Sequence, residues 1–389
     1  MTELPAPTET PTPPAAAAPR QPSVASVSEL AYTSSIVICC GSGGVGKTTV
    51  AAALALEAAM FGRHACVVTI DPARRLANAL GVSSLTNAPS EIEGPWPGSL
   101  SAVMLDAKST FDDLVERYSG DKAQAERIMR NRLYRNLTSA LSGTQEYMAA
   151  EKLYELHSEG RFDIVVVDTP PTHNALDFLD APGRLTRFLE NRVFRLLLLP
   201  TRAYLRAVSV ATRTLLKGIA RVAGSEMVED AVAFFQAFEG MEEGFRERAA
   251  HVEKLLSDPG TAFVLVASPR RDSVEEANHF AAKLAESSIP VESLIVNRVF
   301  PRFEWPGWES VPATEGSDEA ARIWNDLIRN VRDFDAVAQR EESYVADLVA
   351  TVAPAPVTRV PFLAEDVHDI RGLTEVVRHL ADRRDTVRP

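Results

Sequence analysis

The chain has 389 residues, 46% of them hydrophobic, enough for one large α/β domain with an insertion or for two domains. Its net charge of −12 argues against a general nucleic-acid binder, which carries excess Lys and Arg to neutralise phosphates. The three cysteines are Cys39, Cys40 and Cys66, none in a C-x-x-C pair, which argues against a disulfide framework and a cysteine-rich zinc site.

Residues 1–28 are mainly Pro, Ala, Thr and Glu. Such a segment buries too little apolar surface to offset its ordering entropy, so it is predicted to be a disordered tail. No basic region followed by an apolar one opens the chain, and no apolar run reaches the ~20 residues that span a bilayer. A cytoplasmic location is therefore expected. Arg outnumbers Lys 34 to 7 and Ala is abundant, which points to a GC-rich bacterial source.

Order is expected from about Tyr32. Residues 35–40 read as a short buried strand. A Gly-rich loop follows, then an Ala- and Leu-rich helix from Lys47 to about Phe61. Residues 65–70 and 100–105 read as further strands, and helical patterns fill much of 109–159. The run 164–167, ending at Asp168, is continuously apolar, as are strands of a parallel sheet buried on both faces. Residues 262–267, 294–296 and 357–360 have the same character. Strands separated by helices predict a doubly wound, mostly parallel α/β sheet. No strand pattern appears in 185–257, which is read as a helical insertion between two parts of one domain, 32–184 and 258–389.

Gly41-Ser42-Gly43-Gly44-Val45-Gly46-Lys47-Thr48 fits the phosphate-loop pattern G-x-x-x-x-G-K-[ST], with the required strand before and helix after. The glycines let the backbone wrap phosphates, with amide N–H groups and the helix N-terminus pointing at the anion. Lys47 supplies positive charge for the β and γ phosphates. Thr48 offers a hydroxyl to Mg²⁺, and Thr49 from the same turn offers one to a phosphate. Asp168 ends a strand that lies beside the loop in a parallel sheet, where a carboxylate holds magnesium through water. ATP and Mg²⁺ are the expected ligands. Asp71 follows the second strand in Thr69-Ile70-Asp71-Pro72-Ala73. An acid there either positions the attacking water or caps the next helix, and the residues alone leave the two readings level.

These residues resemble the deviant Walker A ATPases of the arsenite-pump (ArsA) and tail-anchored-protein targeting (Get/TRC) type. The shared markers are the loop Gly43–Thr49, Thr69-Ile70-Asp71-Pro72-Ala73-Arg74-Arg75-Leu76, Asp168-Thr169-Pro170-Pro171-Thr172, Leu176-Asp177-Phe178-Leu179, Val296-Asn297-Arg298 and Val360-Pro361-Phe362-Leu363. The resemblance implies a P-loop ATPase with Asp71 as the switch I aspartate that positions water. It implies a switch II at Asp168, Thr169, Pro170, Pro171 and Thr172. Asn297, with Arg298 beside it, matches the adenine-reading asparagine, and the Pro361 region matches the loop over the adenine face. It also implies a dimer whose two nucleotide sites face each other.

Three departures bear on partners. The family's loop begins G-K-G-G-V-G-K, and its lysine reaches the partner's ATP; here Ser42 stands at that place. A heterodimer with a related chain that keeps the lysine is therefore favoured over a homodimer. Switch II carries His173-Asn174 where the family has Gly-His. The zinc-clamping C-x-x-C and the arsenite-binding cysteines have no counterparts, so no zinc is expected and a metalloid pump subunit is disfavoured.

Within the insertion, Leu205, Val208, Leu215, Leu216, Ile219 and Val222 fall on one face of a helix and a row of Arg and Lys on another. Three readings stay open: helices packed on the sheet, an apolar groove for a hydrophobic or membrane-protein client, or a cationic helix lying on a membrane surface. The expected function is Mg²⁺-dependent ATP hydrolysis that opens and closes a dimer. The alternatives are a non-hydrolysing nucleotide-binding scaffold in a heterodimer and a partition or positioning ATPase. No nucleic-acid partner is expected.

Overall fold

The computed structural model describes residues 26–70, 75–132, 134–135, 144–170, 178–184, 186–187, 230, 233–234, 237, 240–302 and 318–381. Eight strands form one sheet: β1 (Ile36–Cys40), β2 (His64–Thr69), β3 (Ser90–Ile92), β4 (Ser99–Met104), β5 (Ile164–Asp168), β6 (Thr261–Ala267), β7 (Ser293–Val299) and β8 (Val357–Pro361). Their spatial order is β3-β4-β2-β5-β1-β6-β7-β8. All neighbours pair parallel except β3, which runs antiparallel to β4 at one edge. This is the doubly wound α/β architecture expected, with every predicted strand present. The addition is β3, a Ser-Glu-Ile triplet with no apolar run, held by its pairing to β4.

β1 lies between β5 and β6, so the phosphate loop leaves the middle of the sheet. Its side chains alternate between two cores. Val37 and Cys39 join the helices Val27–Thr33, Lys47–Met60, Arg75–Leu80 and Ile370–Ala381. Ile36, Ile38 and Cys40 join the helices Thr144–Ser158 and Arg271–Glu286 and the end of Asp318–Val352. Each Val or Ile so buried contributes ~2 kcal/mol relative to exposure. A third core is helical. It packs Leu114, Val115, Ile128, Tyr134 and Phe245 from Ala107–Tyr118, Lys122–Arg130, the segment beside it and Glu242–Leu256.

The helix Lys47–Met60 is Ala-rich because it is covered all round. Strong helix formers hold its backbone, and their small side chains let sheet and helices approach it closely. Helix Val27–Thr33 begins inside the stretch read as tail, because Val27, Leu30 and Ala31 at i, i+3 and i+4 bury against the phosphate-loop helix. Of the predicted insertion, Glu242–Leu256 is a helix that buries Phe245, Ala249, Val252 and Leu256. The apolar positions Leu205, Val208, Leu215, Leu216, Ile219 and Val222 lie outside the described residues. Among the described residues, no helix is long and apolar enough to cross a membrane.

One buried carboxyl ties the first helix to the phosphate-loop helix. Ser28 donates its hydroxyl to Glu57 Oε1 at 2.6 Å, and Glu57 is 2% exposed. Burial raises the Glu57 pKa from its ordinary 4.5 to about 7. The folded state therefore holds a proton that the unfolded chain has lost, and the stability this gives is present below pH 4.5 and is lost as pH rises through 7. Glu57→Gln is expected to flatten that slope and to stabilise the protein by about 2 kcal/mol at pH 8. Thermal melts between pH 5 and 8 check this; a variant with the parent's slope overturns it.

Candidate functional site

The C-terminal ends of β1, β5 and β7 and the turn after β8 meet around a cavity of about 650 Å³. Gly41 lets the loop leave β1 close to β6: a Cβ there would stand 2.0 Å from the Val266 carbonyl oxygen. Gly46 opens the helix with φ +94°, in the left-handed region where glycine is favoured. The loop's Gly43 and Gly44 are exposed, whereas Ser42 and Lys47 are buried.

Lys47 folds back so that Nζ donates to the Ser42 carbonyl at 2.9 Å. Burial lowers the Lys47 pKa, and the Asp168 carboxylate partly offsets this. A desolvated ammonium facing the cavity favours an anion as its next partner. Asp168, 1% exposed, accepts at Oδ2 from the Thr48 hydroxyl at 2.7 Å and from the Thr69 hydroxyl at 2.9 Å. Thr48 and Asp168 thus offer adjacent hard oxygen atoms, the donor class that magnesium takes, so the residues fit that ion. Thr169 follows and donates its hydroxyl to the Cys39 carbonyl at 2.8 Å, fixing the exit of β5 against β1.

The opposite wall comes from β7 and β8. Asn297 Nδ2 donates to the Val45 carbonyl at 2.8 Å, and Asn297 Oδ1 accepts from the Arg298 N–H at 2.9 Å. Arg298 Nη1 reaches the Gly44 carbonyl at 3.2 Å. Pro361 and Phe362 stand on the same wall, with Phe362 62% exposed.

Of the sequence-predicted site residues, the cavity gathers Gly43, Gly44, Gly46, Lys47, Thr48 and Thr49 from the loop. It adds Asp168 and Thr169 from switch II and Asn297, Arg298 and Pro361 from the far wall. Val45 takes part through its carbonyl, and Pro170 is buried outside the cavity. Asp71, Pro171 and Thr172 lie outside the described residues. Ile70, just before Asp71, donates its N–H to the Asp168 carbonyl at 3.3 Å.

Sequence reasoning assigned no role to Arg75, Asn78 or His368, all of which line the cavity. The signal for the first two was their i, i+3 spacing on the helix Arg75–Leu80, whose other residues, Leu76, Ala77, Ala79 and Leu80, are buried. His368, nearly 300 residues away, gave none. Ser42 turns inward: its hydroxyl donates to Ser273 Oγ at 3.0 Å, which also accepts from the Ser268 N–H at 3.0 Å.

Residues 34–306 match the family described as Anion-transporting ATPase. The chain belongs to that family. A putative arsenical pump-driving ATPase of Aquifex aeolicus is 22% identical over 88% of this chain and 78% of its own length. An uncharacterized protein of Streptomyces coelicolor is 33% identical over 67% of this chain and 61% of that protein. The ATPase GET3A of Arabidopsis thaliana is 27% identical over 67% of this chain and 65% of that protein, so the match spans less than two thirds of each of these last two relatives. As a member of the anion-transporting ATPase family, the chain binds and hydrolyses ATP. The matched region holds the phosphate loop, Asp168 and Asn297, while Pro361 and the final helix lie beyond it.

Proposed function

We propose that this ATPase is Mg²⁺-dependent and works as one half of a nucleotide-gated dimer that handles a hydrophobic or membrane-associated protein. The observation that carries the reading is the cavity itself, which joins a phosphate loop to Asn297 and Pro361 across the sheet. Transfer of a γ-phosphoryl group needs positioning and charge stabilisation more than covalent chemistry. The loop amides and Lys47 hold the phosphates, the ammonium exchanging the Ser42 carbonyl for phosphate oxygens. Thr48 and Asp168 hold magnesium, which when bound offsets charge on the β and γ phosphates. Asp71 positions the attacking water. Switch II, from Asp168 to Thr172, passes the state of the γ-phosphate to the rest of the fold.

The dimer reading rests on the resemblance and on the loop's exposed Gly43–Gly44 face. Ser42 is buried on Ser273 and presents no charge to that face, so a related chain that carries a lysine there is the favoured partner. The Aquifex relative is a putative arsenical pump-driving ATPase. In this chain the Cys39, Cys40 and Cys66 thiols are buried, with Cys40 and Cys66 pushed up to about 12, so they offer no accessible thiolate to a metalloid. A hydrophobic partner is the reading kept, with the part of the insertion that precedes Glu242 as its contact region.

The test is molar mass by light scattering with ATP and Mg²⁺, with phosphate release followed on the same sample. The chain alone is expected to stay monomeric and slow, and a lysine-bearing homologue to raise both mass and rate. A fully active homodimer overturns the heterodimer, and a dimer whose apolar exposure ignores nucleotide overturns the handling of a hydrophobic partner.

A further inference from the structure

Asn297 and Arg298 do more than line the far wall of the cavity. Arg298 has φ +62°, a left-handed conformation uncommon for a residue with a side chain. It sits where the parallel register of β7 on β8 slips between Asn297 and Val299. A bulge of this kind bends the strand and re-aims its side chains, and such bulges are found beside active sites. Here the bulge aims two consecutive side chains at two consecutive carbonyls of the phosphate loop, Asn297 at Val45 and Arg298 at Gly44.

The Asn297 amide has one orientation that satisfies both of its neighbours. Oδ1 accepts from the Arg298 N–H and Nδ2 donates to the Val45 carbonyl, so a flipped amide would set donor on donor and acceptor on acceptor. The fit is tight. A Cβ on Gly46 would stand 2.2 Å from Asn297 Nδ2, so the absence of a side chain at Gly46 makes room for this contact as well as for the turn. Asn297 is 8% exposed, which keeps water from replacing the bond to Val45.

We infer that Asn297 and Arg298 form a strut from β7 that holds the Val45–Gly46 peptide and the loop amides in their phosphate-binding arrangement. Both are positioning residues for the phosphates, whatever contact Asn297 makes to a base. One of the two amide hydrogens of Asn297 is used on Val45, and the other is left for a ligand. The β7 wall and the loop then form one unit, and a base seated at Asn297 stiffens the loop that holds its phosphates. The inference rests on the nucleotide reading of the cavity.

The test separates base from phosphate by using inorganic triphosphate as a probe beside ATP, both with Mg²⁺, titrated calorimetrically into the full chain well below its melting temperature. Asn297→Ala is expected to weaken triphosphate by about tenfold and ATP by at least as much, because the loop freed from its strut must be re-ordered on binding and ATP also loses the second amide hydrogen. Arg298→Ala, at an exposed side chain that folding does not need, is expected to weaken both a few-fold with their ratio unchanged. Loss of ATP affinity with triphosphate affinity intact in both variants overturns the strut and leaves Asn297 as a base reader only. Unchanged affinity for both ligands overturns it too. If the parent chain binds neither ligand, the nucleotide reading of the cavity fails first, and that result is distinct from either outcome.

Discussion

Lys47→Met is expected to lower phosphate release by on the order of 10²–10³-fold while leaving the fold intact. Lys47 is 7% exposed, and its ammonium donates to the loop's own Ser42 carbonyl. Burial already works against its charged form, so an unbranched apolar side chain of similar length fills the same space without the desolvation cost. The melting temperature of the variant should therefore stay within a few degrees of the parent. The difference appears with ligand. At about a hundred times Kd, ATP stabilises the parent by about 2.7 kcal/mol, whereas the variant should show little shift at the same concentration. Differential scanning fluorimetry with and without ATP, beside a phosphate-release assay, checks both halves. A variant that melts early without ligand would show that Lys47 holds the loop; one that keeps its ATP shift would remove Lys47 from the phosphate site.

The phosphate half of this site is legible in the chain because it is contiguous. Strand, loop and helix follow one another over 36–60, and each step has a local cause: a β-branched run, glycines and an Ala-rich helix. The base half is not contiguous. Asn297 and Pro361 come from different strands and meet the loop only because β7 and β8 continue the sheet beyond β6. Resemblance named both residues; the bond from Asn297 to the Val45 carbonyl was outside its reach, since it depends on a bulge at one residue. Local signals also failed where tertiary contact decides. β3 has three residues and no alternation of its own, and helix Val27–Thr33 is too short to form without the phosphate-loop helix beneath it. The 35-residue helix Asp318–Val352 did carry a signal. Leu327, Val331, Phe334, Ala338, Val345, Leu348 and Val352 repeat at heptad spacing, and the later members are buried.

Breaking the buried pair between Arg248 and Glu151 is expected to cost the fold about 3–5 kcal/mol. Glu151 is 1% exposed and lies in Thr144–Ser158, the helix before β5; Arg248 lies in Glu242–Leu256, the helix before β6. The guanidinium bonds Glu151 Oε1 and lies over the Tyr154 ring, 3.9 Å from its centroid, while the Tyr147 hydroxyl donates to Glu151 Oε2 at 3.4 Å. Burial raises the Glu151 pKa, and Arg248 is the main force against that rise. In Arg248→Met the carboxylate loses its counter-charge and takes up a proton in the folded state that the unfolded chain does not hold. Stability of the variant should therefore climb as pH falls from 8 towards 5, more steeply than in the parent. The double variant Arg248→Met with Glu151→Leu should recover most of the loss, because the cost lies in the stranded charge rather than in the missing contact. Denaturant unfolding at pH 8 and pH 5 measures both effects, and a double variant as unstable as the single one would assign the cost to packing on Tyr154 instead. β5 and β6 flank the phosphate-loop strand on its two sides. The pair thus braces the two helices that feed them.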